Sequence, residues 1–179
     1  MLLDVRAAGR GRVVRTRRPH AQDRRGRLSV WHDFLLASLH HLLVVGLIAM
    51  LAGQMTLLRG TPDALTLQRL GKLDRGYGST AGLLLVVGLL RVFHGIKGED
   101  FYLHNPWFHA KLGAFLLAAV ISIAPTVAYT RWRKALRDDA SWRPDAATWS
   151  RAGVLVRVQL GLVLVIVVAA AGMARYGGL

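Results

Sequence analysis

His109 and Lys111 sit where a membrane would make them costly: both fall within the first two turns of a stretch, Asn105 to Trp132, whose other side chains are largely apolar. An ionisable group in that position faces a cavity, snorkels to the interface or meets a partner. Two more imidazoles, His40 and His41, stand near the start of another apolar window, with Gln54 near its end. Adjacent helical residues are about 100° apart, so the pair points in two directions and supplies at most one ligand to a shared centre. His41 lies nearer a face of Ser38, Gly46, Ala49 and Gly53, a small-residue surface suited to close helix contact, whereas His40 shares a side with Gln54. A third set, Asp74, Tyr77 and Arg91, recurs with Gly78, Ala81, Gly88 and Gly95 at three- and four-residue steps, which makes one inward-facing stripe. Asp74 and Arg91 are 17 residues apart, about 25 Å along a helix, so they cannot pair with each other. For all these groups the competing placement is interfacial, with histidines bonded to headgroups or water and Arg91 snorkelling toward the loop that follows it.

The elements that must position these residues follow from composition. With 53% hydrophobic residues in a chain of 179, the protein is too apolar for an ordinary soluble domain, and its mean hydropathy of +0.35 agrees. Four windows are long enough to cross roughly 30 Å of hydrocarbon: Phe34 to Leu58, Tyr77 to Ile96, Trp107 to Thr130, and Gly153 to Arg175. The expected fold class is all-α, a four-helix transmembrane bundle occupying residues 31–179. Asn105 and Pro106 read as the cap and first residue of the third span, and Arg131, Trp132 and Arg133 as its far interface. Pro125 should kink that span, with Ser122 satisfying part of the freed backbone. Thr61-Pro62-Asp63 signals a helix start, and Leu65, Leu67, Leu70 and Leu73 suggest a short amphipathic helix leading into the second span. The loop from Lys97 to Asn105 reads as a turn; its Glu99, Asp100 and His104 match no specific metal-ligand spacing. The fourth span has Arg157 and Gln159 near its start and then only packing residues.

The chain ends and charges set the topology. Residues 1–30 form a basic tail, with nine arginines between Met1 and Arg27, and are expected to be disordered; on another reading translation starts at Leu28 or Val30. The first loop carries Arg59, Arg69, Lys72 and Arg75, and the third Arg131, Arg133, Lys134, Arg137, Arg143 and Arg151, against Lys97 in the middle loop. The positive-inside rule then places both termini outside the cytoplasm, in a bacterial inner membrane, although the arginine-rich tail pulls the other way. The net charge of +14 sits mostly between apolar spans, which points to anionic lipid headgroups rather than nucleic acid. With no cysteine, disulfides, thiolate metal sites and cysteine nucleophiles are excluded, and a redox role would need a borrowed cofactor.

Several segments resemble a family of bacterial four-helix membrane proteins of unknown function (domain of unknown function 2214): Leu39 to Leu42, Leu73 to Gly78, Gly82 to Phe93, Lys97-Gly98, Phe101-Tyr102, Asn105-Pro106 and Ser122 to Trp132. The resemblance covers about Trp31 to Arg133 and implies a topology without an activity. More distantly, the first-span histidine, Arg69-Leu70 and His109-Ala110-Lys111-Leu112 are similar to the membrane-integral protoporphyrinogen oxidase that binds b-type haem, and more loosely to D-type copper-resistance membrane proteins. Carried over, that family's functional positions fall on His41 or His40, and on His109 and Lys111. The resemblance implies haem b, its iron held by His41 and His109, with Lys111 or Arg69 neutralising a propionate. The first and third spans run parallel, so both histidines come at one membrane face and at similar depth.

Two readings follow. One is an inner-membrane oxidoreductase that binds b-type haem and acts in electron transfer or tetrapyrrole oxidation. The other is a non-enzymatic membrane protein, an assembly partner or small transporter subunit, with interfacial histidines and a membrane-protein partner or second copy on its helix faces.

Overall fold

In hydrocarbon every backbone group must be satisfied within the protein, which leaves helices as the economical way for this chain to cross. A computed structural model of the protein describes residues 21–94 and 98–176, with no strand among them. The helices are α1 (Ala21–Leu57), α2 (Ala64–His94), α3 (Gly98–Leu103), α4 (Pro106–Asp138) and α5 (Ala146–Tyr176). All but the six-residue α3 contain a segment long and apolar enough to span, namely Trp31–Leu57, Ala64–Phe93, Pro106–Asp138 and Ala146–Arg175. The expected four-helix transmembrane bundle is the observed one.

The boundaries differ from expectation in instructive ways. The amphipathic segment from Leu65 to Leu73 is the first part of α2 rather than a separate helix, because Leu67 and Leu70 are buried on the same inner face that α2 continues. The loop read as a turn contains α3. Helices α4 and α5 run past the arginines at the interface, so their connection shortens to 139–145. Residues 21–30, assigned by composition to the tail, are helical as the leading part of α1; arginine is a good helix former and the span behind it supplies the nucleus. The disorder expected for residues 1–20 lies outside the described residues.

The starts of the spans are capped as their residue types demand. The Asn105 side chain accepts from the Trp107 N–H at 2.9 Å, with Pro106 as the first helical residue. Asp63 accepts from the Thr66 N–H at 2.6 Å and Asp145 from the Thr148 N–H at 2.8 Å. Those backbone donors hold both carboxyls below the usual carboxylate range, and at Asp139 the Ser141 side chain, followed by its backbone N–H, does the same. Pro125 is buried inside α4, and the Ser122 hydroxyl donates to the Ala119 carbonyl at 2.6 Å.

Short connections make sequence neighbours antiparallel. Helices α1 and α2 pack as one hairpin and α4 and α5 as the other; α2 against α4 and α1 against α5 close the ring, and among the described residues the diagonal pairs α1–α4 and α2–α5 bring no Cα atoms within 8 Å. Side chains fix the register: Met50 packs on Gly76 and Leu73 on Gly53, Leu58 approaches Gly153, and Trp107 overlies Gly172. The middle of the bundle is dry, filled by Leu47, Leu51, Leu84 and Val163. Leu42, Val120 and Val168 instead point outward, each more than 60% exposed in the isolated chain, and form part of the surface that lipid covers.

Candidate ligand-binding cavity

At the end of the bundle where α1 and α4 begin their spans and α2 and α5 end theirs, the four long helices line a common space, to which α3, packed on α2 and α4, adds Tyr102. The space is a partly open cavity of about 120 Å3, and two of its lining residues, Leu85 and Leu89 of α2, are also exposed. Most of its wall is apolar. The exceptions are His40 from α1, Arg91 from α2, Tyr102 from α3 and Lys111 from α4. Four elements thus deliver one polar group each to the same end.

Local packing explains how they arrive. Gly88 on α2 faces the His40 ring: a Cβ there would lie 3.6 Å from its Cε1, an ordinary van der Waals contact. The imidazole is half-buried, and its Nδ1 is buried with no hydrogen-bond partner. Arg91 is also half-buried, with Nε buried and unpartnered. The Lys111 ammonium stands 5.5 Å from the centroid of the Phe108 ring. Lys111, Arg91 and His40 lie close enough for their charges to act on one another. Among the described residues neither Arg91 nor Lys111 forms an ion pair. Tyr102 is buried beneath the α3 cap, where burial pushes its phenol above the ordinary value while Arg91 pulls the other way and Asp33 of α1 reinforces the rise.

The other imidazoles are placed differently. His41 is exposed, its Nδ1 2.6 Å from the Ala37 carbonyl, and stands edge-on to His40 with ring centroids 6.3 Å apart. His109 is exposed, its Nε2 2.8 Å from the Leu103 carbonyl, where it ties the end of α3 to α4. Neither lines the cavity. The two imidazoles expected to share one iron, His41 and His109, each lie one step round their helix from a cavity-lining residue, His40 and Phe108. His40 and Lys111 do meet at the cavity. Among the described residues no three histidine or acidic side chains gather into a metal-binding group. In the middle loop, His104 is exposed with Nδ1 3.1 Å from the Asp100 carbonyl.

Arg69 lies far from the cavity. It is 22 residues from Arg91 on α2, about 33 Å along the axis, and edges an outer groove with Lys72, Gly53 and Thr56. Asp74 and Tyr77 face inward, as their stripe requires, yet at that same far end: both are buried, and the Thr126 hydroxyl donates to Asp74 at 3.0 Å.

The pattern of four spans has a counterpart among known sequences. Residues 32–178 match the family described as Predicted membrane protein (DUF2214). The chain belongs to that family. The match carries the resemblance read over Trp31 to Arg133 through the fourth span, so the whole bundle of this DUF2214 protein is the family domain. No curated protein and no solved structure matches the chain. It is an integral membrane protein, and the family description adds no activity.

Sequence reasoning missed Tyr102 as a cavity residue and Thr126 as the partner of Asp74. Tyr102 arrives on a six-residue helix inside an apparent turn, and no periodicity exposes so short an element. Lys111 and Tyr129 are 18 residues apart, five full helical turns, so α4 did advertise one inward stripe through both ends of the bundle.

Proposed function

We propose that the protein binds an anionic amphiphile within the membrane, its acidic head group against Arg91 and Lys111 and its apolar part along Leu85, Leu89 and Phe115. What carries this reading is the pair of half-buried cations, unpaired among the described residues, in a cavity whose other walls are mainly apolar. A charge withdrawn from water without a partner costs several kcal/mol. A phosphate or carboxylate supplies that partner through charge-assisted hydrogen bonds. His40 adds a ring nitrogen that donates or accepts according to its tautomer, and Tyr102 a hydroxyl. An apolar cavity of about 150 Å3 holds a benzene-sized molecule, so this one takes a head group and its first carbons, and the chain leaves by the open side. The arginines and lysines of the first and third loops support a topology with both ends of the protein outside the cytoplasm of a bacterial inner membrane, and on that topology the cavity lies in the outer half of the bilayer.

Haem b is the second reading, favoured by the buried, unpartnered Nδ1 of His40. It too is an apolar body with acidic arms, and it would bring one-electron chemistry to an electron-transfer or tetrapyrrole-oxidising protein. The chain would contribute one imidazole and two cations for the propionates. The macrocycle needs more room than the cavity provides, so the lipid-like ligand stands first. Visible spectra and native mass spectra of the purified protein, beside His40→Ala and the double variant Arg91→Gln/Lys111→Gln, separate the cases. A colourless adduct that the double variant loses supports the amphiphile, and a b-type spectrum lost in His40→Ala supports haem. An absence of any adduct, with membrane lipid present throughout purification, overturns both.

A further inference from the structure

The opposite end of the bundle interior holds a polar layer that the cavity does not use. Asp74 is buried, and the Thr126 hydroxyl is its hydrogen-bond donor. Register brings further polar side chains to its level. With Met50 on Gly76 and Leu73 on Gly53, Asp74 is level with Ala52, so Gln54 of α1 stands about 3 Å from its height. Tyr129 lies one turn beyond Thr126 on α4, close enough to Asp74 to feel its charge, as does Tyr77. The approach of Leu58 to Gly153 places Gln159 of α5 within a turn of the same height.

The layer is incomplete as a set of protein groups. Gln54 and Tyr129 are 2% and 1% exposed, and the Gln54 amide nitrogen and the Tyr129 hydroxyl have no hydrogen-bond partner. Asp74 has no ion pair among the described residues. Buried polar groups left open in this way point to a bound water or ion. Water satisfies the amide and the hydroxyl but leaves the carboxylate charge uncompensated, and in a membrane interior that charge is the larger demand. The charged and titratable groups around Asp74 do not meet it: Tyr77, Lys72 and Arg75 on its own helix, with Arg75 bonded to the Gly71 carbonyl; Tyr129 and Arg133 on α4, with Arg133 packed on Gly71; and exposed Arg157 on α5, while α1 presents only the neutral Gln54. The carboxylate of Asp74 and the hydroxyl oxygen of Tyr129 suit a single positive charge, and Gln54 joins them when its amide turns to present the oxygen in place of the open nitrogen, which is a donor; divalent cations usually draw on several acidic ligands or substrate phosphates.

We propose that this layer binds a small monovalent cation, a proton or an alkali-metal ion, between Asp74, Gln54 and Tyr129. The proposal is independent of the ligand in the cavity. Melting temperature tests it, measured for the detergent-solubilised protein against sodium chloride with choline chloride as control at fixed pH, and against pH at fixed sodium. Wild type is expected to gain stability either with sodium over choline or with falling pH, and Asp74→Asn, of the same shape and neutral, to lose that dependence. A sodium response assigns the alkali ion; a pH response without a sodium response assigns the proton. Gln54→Leu is a second variant, expected to weaken the apparent affinity about tenfold, and it carries the test should Asp74→Asn not fold. Dependence on neither cation, or the same dependence in wild type and both variants, overturns the proposal.

Discussion

The two polar ends of this bundle have opposite charge and opposite access. At one end Arg91 and Lys111 border a cavity open to the outside; at the other Asp74 is enclosed among Gln54, Thr126 and Tyr129. Leu47, Leu51, Leu84 and Val163 fill the space between, and about 25 Å of helix separates Asp74 from Arg91. The fold therefore keeps its interior charges apart instead of neutralising them against each other. On the two proposals each end takes a partner from outside the chain, and access sets its size: an amphiphile for the cations of the open cavity, an ion for the buried carboxylate.

Substitutions that silence one end and spare the other test this contrast. The largest effect is expected from Arg91→Gln/Lys111→Gln: losing two charge-assisted contacts lowers retention of the anionic ligand by about 100-fold or more, read as adduct occupancy in native mass spectra, while the cation dependence of melting persists. If both properties disappear together, the two ends are not separate sites. Leu51→Ala strikes the divide, since Leu51 is fully buried between them. It should cost about 2–5 kcal/mol in a reversible unfolding assay and weaken both ends through loss of packing. Gly88→Leu pushes a side chain toward His40 and should displace the cavity ligand with little effect on Asp74. Asn105→Ala removes the cap beneath α3 and should cost about 1 kcal/mol, loosening the cavity end first, which hydrogen exchange at α3 and the start of α4 would show.

The smallest effect concerns pH. Asp63 and Asp145 cap helices with carboxyls held below the usual range. A depressed folded value stabilises the protein above the unfolded carboxylate range, and that contribution is lost as pH falls through the folded values. Acid titration of helix content should show this loss, and Asp145→Asn should flatten its share of it.

The spans, the Asn105-Pro106 helix start and the inward stripe of Asp74, Tyr77 and Arg91 were legible because each rests on a local rule of hydropathy, capping or period. The small-residue face of α1 is not its contact face, for a physical reason. Gly46, Ala49 and Gly53 suggested the contact face of α1, yet Gly46 has open space beside it and Ala49 is exposed; of the three, Gly53 receives a neighbouring helix, through Leu73. The buried stripe is instead Leu47, Leu51, Gln54 and Leu58, which continues back to His40. The polar Gln54 sharing a side with His40 was the better signal, because a buried amide shows which face looks inward. The convergence of α3 on the cavity, and of Gln54 and Tyr129 on Asp74, depends on helix register across the ring, which no single-helix pattern contains.

Native mass spectrometry of the protein released from lipid nanodiscs, wild type beside Arg91→Gln/Lys111→Gln, tests the central claim most directly. The cation pair predicts one anionic amphiphile retained by wild type and absent from the variant. Equal occupancy in both, or none in either, would contradict the assignment of the cavity as a binding site.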